Sequence, residues 1–405
     1  MKILQLSPQF PFPADDGGRI AIANLTKEFA RAGHEVTLFC LGNQQPLPTE
    51  LHEAKRYAKV ILCNHSTANT LLRIAASALL PISLYMQKHI GTQVLKDLTE
   101  LLKYEKFDVI HADHSCMAEA ALFAKEIAEK KSETLPVGLR LHNVEWIIWK
   151  RYADELPSRS PKKWFVARQA ELLRLAEQRY YPQMDVCFAV SEKDKEEALK
   201  LSQSANVVIA PHGITPEEWE VNDTIVRNDK EIIIATTYKW IHNVEGVRWF
   251  VEKVLPIIHS AIPDARLTLI GKNPPDYFQE WKPLGVDVVG YVEKVQPYLN
   301  RASVYIAPLF VGSGVRIKIL EAMAMGLPVV ATPIAREGIV AGQSEGLFTP
   351  ENAEEFARQV MYLLENPNEA RTAGLAARAY TFEKYTWQSS ASIMLNTYQQ
   401  LINQS

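Results

Sequence analysis

Gly312-Ser313-Gly314-Val315-Arg316-Ile317-Lys318-Ile319-Leu320-Glu321-Ala322-Met323-Ala324-Met325-Gly326-Leu327-Pro328-Val329-Val330-Ala331-Thr332 contains a small-residue loop, a helix and the next strand in one run. An apolar run, Ser303–Pro308, precedes it and reads as a strand. The strong helix formers predict a helix over Gly314–Met325, with Gly326 as its stop and a strand over Pro328–Ala331. A Gly-rich turn into a helix offers free backbone N–H groups and the positive end of a dipole, which together favour an anion. Glu321 falls three residues after Lys318, on the same helix face. A diphosphate at the helix start would meet Lys318, while Glu321 reaches hydroxyls further along the ligand. Arg316, read as part of the first turn, opposes the dipole unless an anion compensates. The competing reading makes Arg316 and Lys318 solvated charges, with Glu321 paired to one of them. Glu321 lies between Leu320 and Ala322 in an apolar helix, where a purely solvated carboxylate is uncomfortable.

The same alternation extends in both directions. Short apolar runs at Lys2–Ser7, Glu35–Leu41, Lys59–Cys63, Asp108–Ala112, Pro136–Leu141, Val186–Val190 and Val207–Ala210 are separated by helix-length segments. A second series, Ile232–Ala235, Arg266–Ile270, Val286–Val289, Ser303–Pro308 and Pro328–Ala331, behaves alike. Apolar runs with helical crossovers predict parallel sheets. Helices are expected over Glu245–Ile262, Val295–Asn300, Ala353–Glu365 and Asn368–Tyr380, with a last one over Trp387–Asn403. Between the series, the Pro, Gly, Asn and Asp of Pro211–Asn228 read as a linker or hinge. The expected fold class is α/β, two Rossmann-like doubly wound domains facing a cleft. Ligands of such sheets bind at the carboxyl ends of the strands, so motifs just after strands carry most weight.

A chain of 405 residues with 47% hydrophobic and 22% charged residues has the make-up of a soluble two-domain protein. A net charge of −3 argues against a nucleic-acid partner. Cys40, Cys63, Cys116 and Cys187 form no C-x-x-C and show no zinc-ligand spacing, so buried free thiols are expected. The start, MKILQLSPQFPFP, reads neither as a signal nor as a transit peptide. The longest apolar stretch, Leu71–Tyr85, is broken by Arg73 and Pro81 and falls short of a membrane span. A cytoplasmic location is expected.

Glu321-Ala322-Met323-Ala324-Met325-Gly326-Leu327-Pro328-Val329-Val330 resembles the nucleotide-sugar signature of glycosyltransferase family 4, a retaining family with the GT-B fold. The resemblance extends over most of the chain. It implies that 1–212 form an acceptor-binding domain, that 213–386 bind the nucleotide sugar, and that 387–405 cross back to the first domain as a helix. It implies that Glu321 binds the ribose hydroxyls. The family's first Glu would fall at Ser313, a departure that puts the usual carboxylate contact to the sugar in doubt. The chain is closer to a branch with G-S-G-x-R-x-K-x-L-E-A, in which Arg316 and Lys318 are phosphate partners. Ser313, Gly314 and Val315 then line the donor.

Other motifs fit the same resemblance. Gly17 and Gly18 in PFPADDGGR match the first loop, against the donor phosphates; a plain tight turn is the alternative. His111 and Asp113 in FDVIHADH end a strand and are placed to bond the transferred sugar or assist the acceptor proton. His111, Asp113 and His114 invite a metal reading, but no further ligands have matching spacing; His114 also suits a helix cap. His142 and Glu145, in RLHNVE, are acceptor-side candidates, the alternative being a loop-organising role. Ser191 fits the family's V-S-x-x-D and equally an N-cap. Lys239 stands in the family's phosphate loop, without the usual Arg. Gly271 follows one strand; Tyr291 and Val292 follow another, where the family contacts the nucleobase. Between Arg159 and Tyr181, six basic residues and Trp164 face two acids. That segment reads as a helix packed on the domain or as a basic amphipathic helix touching the inner face of a membrane.

The implied reaction is retaining transfer of a hexose-type sugar from a nucleoside-diphosphate sugar to a carbohydrate or glycolipid acceptor, with no cofactor and no metal. A nucleotide-sugar 2-epimerase of the same fold and a non-catalytic nucleotide-sugar-binding subunit are the alternatives. An oxidoreductase is disfavoured by the missing G-x-G-x-x-G.

Overall fold

The computed structural model describes residues 1–14, 17–222, 224–311 and 315–404. The chain divides into two compact units, Met1–Pro211 with the stretch from Trp387, and His212–Thr386. The expectations for Ser313 and Gly314 lie outside the described residues.

The first unit holds a seven-stranded sheet: β1 (Lys2–Ser7), β2 (Glu35–Gly42), β3 (Lys59–Asn64), β4 (Val109–Asp113), β5 (Val137–Leu141), β6 (Val186–Ala189) and β7 (Val207–Ile209). Its order is β3-β2-β1-β4-β5-β6-β7, with every neighbouring pair parallel. The strands are apolar on both sides because both faces are covered. Leu4, Leu6, Ile110, Ala112, Leu139 and Leu141 point into one core cluster. Ile3, Leu38, Val109, Val186 and Phe188 point into the other. The second face is closed by the helix Gly17–Arg31 and by the C-terminal helix Trp387–Gln404, which pack together there. Trp387, Met394, Leu395 and Tyr398 supply the latter's buried stripe. Tyr398 presses on β5 so closely that a Cβ at Gly138 would run into its ring. All four cysteines are buried free thiols.

The second unit holds six strands: β8 (Glu231–Ala235), β9 (Arg266–Ile270), β10 (Val286–Gly290), β11 (Val304–Ala307), β12 (Val329–Ala331) and β13 (Leu347–Phe348). The order is β10-β9-β8-β11-β12-β13, again all parallel. At two residues, β13 is too short to leave a periodic signal, and sequence reading misses it. Glu231, 2% exposed at the start of β8, is held by two bonds of 2.8 Å from Arg301 and one of 2.8 Å from Thr268.

Two helices are broken or displaced at their start relative to expectation, and the one expected over Asn368–Tyr380 runs on to Lys384. The long helix expected from Glu245 is Ile241–Trp249, a π-helical turn Phe250–Val254, and Leu255–Ala261. Pro256 has no N–H to give, and the bonding shifts to the wider spacing just before it. The helix after β11 begins at Ile317, not Gly314. Arg316 is its extended N-cap (φ −84°, ψ 92°), so it is not a first-turn residue opposing the dipole. That helix does end at Gly326, whose φ of 68° lets its N–H reach Met323 O and lets Leu327 N–H reach Ala322 O. The segment read as a hinge is bound down in its first part: Ile214 N–H donates to Tyr385 O at 2.9 Å, and Trp219 is buried.

Candidate active site

In each sheet the strand order reverses once, between β1 and β4 in the first unit and between β8 and β11 in the second. Crossovers diverge at such switch points and leave a crevice at the carboxyl edge. Both groups of candidate residues lie at these edges.

In the first unit the group is a buried chain of hydrogen bonds. Parallel register sets Gln5 of β1 beside His111 of β4, and Asp113 of β4 beside Arg140 of β5. Thr26 Oγ1 donates to Gln5 Oε1 at 2.8 Å, and Gln5 Nε2 donates to Asp113 Oδ2 at 2.8 Å. The other carboxylate oxygen faces His142 Nε2 at 3.3 Å and His111 Nε2 at 3.5 Å. His111 Nδ1 meets Tyr398 Oη at 2.7 Å. Burial by itself would raise the Asp113 carboxyl, but the imidazoles of His111 and His142 hold it well below the usual carboxylate range. Burial, then the neighbouring His114, pushes His142 well below the usual imidazole range, so its ring is neutral at pH 7.

His111 and Asp113 have no exposed surface at all. Asp113 faces His142, which is 5% exposed. Sequence reading gave His114 a capping role, yet its side chain makes no cap hydrogen bond. Its ring stacks on His142 at 3.7 Å instead, and its φ of 68° is unusual for a residue with a side chain. Nδ1 of His114 lies 3.9 Å from the Glu145 carboxylate. Glu145 opens the helix Glu145–Glu155, whose first N–H groups are taken by Glu177: Glu145 N–H by Oε1 at 3.1 Å and Trp146 N–H by Oε2 at 3.3 Å. Burial, then repulsion from Glu145, pushes the Glu177 carboxyl up to about 8. Gln5, Thr26, Glu177 and Tyr398 were not legible as parts of this group, since no local spacing links them to β4. Gly17 and Gly18 open the helix that carries Thr26.

In the second unit, the segments after β8, β9, β10 and β11 follow the same carboxyl edge. After β8 comes exposed Lys239, its ammonium 5.9 Å from the Trp240 ring centre. After β9 comes Gly271, with φ 147° and so close to Thr236 O that a Cβ would not fit. Tyr291, after β10, is 63% exposed, with the Lys272 ammonium 4.8 Å from its ring centre; Val292 is half-buried beside it. After β11, Val315 and Arg316 are half-buried and Lys318 is exposed. Glu321, only 7% exposed, accepts from Lys318 Nζ at 2.7 Å. Burial pushes the Glu321 carboxyl above its ordinary range, and Lys318 opposes that shift. The ion pair allowed by the sequence spacing is therefore present, on a carboxylate too buried to be an ordinary surface partner. Among the described residues, no group of three or more His, Cys, Asp or Glu side chains is arranged to hold a metal ion.

Comparison with known proteins agrees with this layout. The family model described as Glycosyltransferase Family 4 matches residues 16–218, and that described as Glycosyl transferases group 1 matches 229–366. A relative from Klebsiella pneumoniae, described as an uncharacterized 44.6 kDa protein in a cps region, is 21% identical over 95% of this chain and 96% of its own. An MMP alpha-(1->4)-mannosyltransferase of Mycolicibacterium hassiacum is 23% identical over 95% of both chains. Among solved structures, Anabaena HepE in complex with UDP and glucose superposes with a TM-score of 0.65, covering 99% of this chain and 100% of that one at 15% identity. With one model covering β2 to β7 of the first sheet, and the second covering the whole sheet of the second unit and Glu321, the chain is a glycosyltransferase of family 4 with the GT-B fold.

Proposed function

We propose that this enzyme moves a hexose-type sugar from a nucleoside-diphosphate sugar to an acceptor hydroxyl, with retention at the anomeric carbon and without a divalent cation. The acceptor is a growing polysaccharide, lipopolysaccharide or glycolipid in the cytoplasm. The observation that carries this reading is Glu321: a nearly buried carboxylate at the carboxyl edge of the second sheet, held by a flexible cation one turn away. Ribose hydroxyls are suitable donors to such a group, and a diphosphate is a suitable partner for the cation. In this reading Glu321 takes the ribose, while Lys318 and Arg316, with Ser313, Gly314 and Val315, take the diphosphate. Lys239, Gly271, Tyr291 and Val292 complete the donor side, and Gly17 and Gly18 approach the phosphates.

In the reaction the bond from the anomeric carbon to the diphosphate oxygen breaks as the bond to the acceptor oxygen forms. Negative charge grows on the departing diphosphate, where Lys318 and Arg316 stabilise it electrostatically. Neutral His142 is in the form that accepts the acceptor proton, and Glu145 lies on the same acceptor side. His111 and Asp113 orient that ring from behind it rather than touching sugar.

The MMP mannosyltransferase relative and the UDP- and glucose-bound neighbour support a nucleotide-sugar donor. Calorimetry with UDP, GDP and their sugars, followed by NMR of the product's anomeric configuration, tests the proposal. Inversion, an epimerised sugar formed without acceptor, or binding of none of these nucleotides would refute it. Transfer abolished by EDTA would refute metal independence.

A further inference from the structure

The inner face of the helix Pro161–Tyr180 runs Val166, Ala170, Leu173 and then Glu177, all buried. The spacing is that of one helical stripe, so its fourth member stands where a leucine is expected. A carboxylate in a core stripe needs donors, or its burial goes uncompensated. The two oxygens of Glu177 meet them at the start of another helix, 32 and 31 residues back: Glu145 N–H at 3.1 Å and Trp146 N–H at 3.3 Å.

That start has no side-chain cap of its own. The residue in the N-cap position is Val144, extended (φ −83°, ψ 96°) but without a side-chain oxygen, and buried in a core cluster. The first N–H groups of a helix have no partner within it. Glu177 therefore stands in for the missing cap from a neighbouring helix. It is a costly substitute. A Ser, Thr, Asp or Asn at 144 would serve such groups locally, whereas burial and repulsion from Glu145 both work against the Glu177 carboxylate.

What this cap holds in place is the first residue of the helix. Glu145 is buried, and its carboxylate lies 3.9 Å from His114 Nδ1. The His114 ring stacks on that of His142, with centres 3.7 Å and planes 9° apart. His142 Nε2 in turn faces Asp113 at 3.3 Å. The stacked imidazoles thus lie between two acids, Asp113 carried by β4 and Glu145 carried by the helix start that Glu177 caps.

We propose that Glu177 is a positioning residue for the acceptor side of the site, fixing the start of the helix Glu145–Glu155 so that the Glu145 carboxylate stays against the stacked His114 and His142 rings. The proposal rests on the reading that His142 and Glu145 serve the acceptor. Glu177 itself touches no substrate. Without its cap the first turn frays, and Glu145 loses its fixed distance from His114 while Asp113 stays in the sheet.

The test compares Glu177→Leu with Glu177→Leu/Val144→Thr. The first completes the apolar stripe and leaves both N–H groups uncapped; the second adds a capping hydroxyl in a side chain isosteric with valine. Hydrogen-exchange mass spectrometry of the full-length protein reads the helix start without any substrate. Amides at 145–148 are expected to exchange about tenfold faster in Glu177→Leu and to recover in the double variant. With an acceptor that wild type uses, Glu177→Leu is expected to lose about tenfold in kcat/KM for that acceptor, and Val144→Thr to restore most of it. Nucleotide affinity by calorimetry is expected to stay within about twofold of wild type. If Glu177→Leu does not fold, Glu177→Gln, which keeps the size and one acceptor oxygen, shows the same changes at smaller amplitude. Unchanged exchange overturns the proposal. So does faster exchange with unchanged acceptor kinetics, or a double variant that recovers exchange without recovering turnover. An equal loss of nucleotide affinity and acceptor turnover also overturns it, since that is what a merely structural role gives. Wild-type protein that transfers no sugar strikes the transferase reading, whereas the exchange result stands or falls without it.

Discussion

Glu321 and Lys318 together make the donor reading quantitative. Glu321→Gln keeps the size and one acceptor oxygen but removes the charge. A hydrogen bond to a charged group contributes about 1.5–3 kcal/mol, which corresponds to roughly 10–150-fold in nucleotide affinity. Lys318→Ala acts differently. Burial already raises the Glu321 carboxyl, and Lys318 is the group that pulls it back. Without Lys318 the carboxyl rises further, so more of it is protonated as the pH falls. Nucleotide affinity of Lys318→Ala is therefore expected to weaken more steeply than wild type between pH 8 and pH 6. The variant Lys318→Ala/Glu321→Gln, with no carboxyl to titrate, loses that extra slope. Calorimetric titration with the preferred nucleotide across this range measures it. Wild-type affinity in Glu321→Gln would remove the carboxylate from the site. An identical slope in Lys318→Ala and the double variant would refute the coupling.

Three further outcomes follow from the packing. Glu177 binds its proton more tightly folded, at about 8, than at the ordinary 4.5, so its contribution is fully present below pH 4.5 and is lost as the pH rises to about 8. The rise from 4.5 to about 8 sets a ceiling of about 5 kcal/mol on that loss; urea unfolding from pH 5 to 9 should show the slope in wild type and not in Glu177→Gln. Gly138→Ala forces a methyl against Tyr398 and is expected to destabilise by about 1–3 kcal/mol in thermal or urea unfolding, with relief in Gly138→Ala/Tyr398→Leu. Arg301→Ala leaves the buried Glu231 carboxylate with only its Thr268 bond and should cost about 1–3 kcal/mol in the same assay, discounted for the half-exposed guanidinium.

The local part of the fold was written in local residues. KILQLS is a strand over its full expected length, because an apolar run of that size between turn signals has few other uses in a parallel sheet. Gly326 ends its helix with a positive φ, as a glycine in that position predicts. The i,i+3 spacing of Lys318 and Glu321 already contained their ion pair. The start of that helix was misjudged by three residues, because valine and arginine are as acceptable in an extended cap as in a first turn.

Distance along the chain marks where the sequence stops speaking. His111 and Tyr398 bond across 287 residues, and nothing near either announces the other. The C-terminal helix was expected to cross back, but only its packing on β5 explains why position 138 is glycine. FDVIHADH displayed its titratable residues as equals, whereas the fold buries His111 and Asp113 completely and leaves His142 and His114 nearest the surface. Leu71–Tyr85 likewise read only as an apolar stretch too short and too interrupted to span a membrane. Which side of a helix faces water depends on what packs against the other side, and here Gln169 and Arg168 fix it with the leucines outward. Composition and periodicity determined that there are two parallel α/β sheets and where their turns lie. Tertiary contacts decided which polar groups are buried and which stay near the surface, since burial is a property of neighbours that the local sequence does not contain.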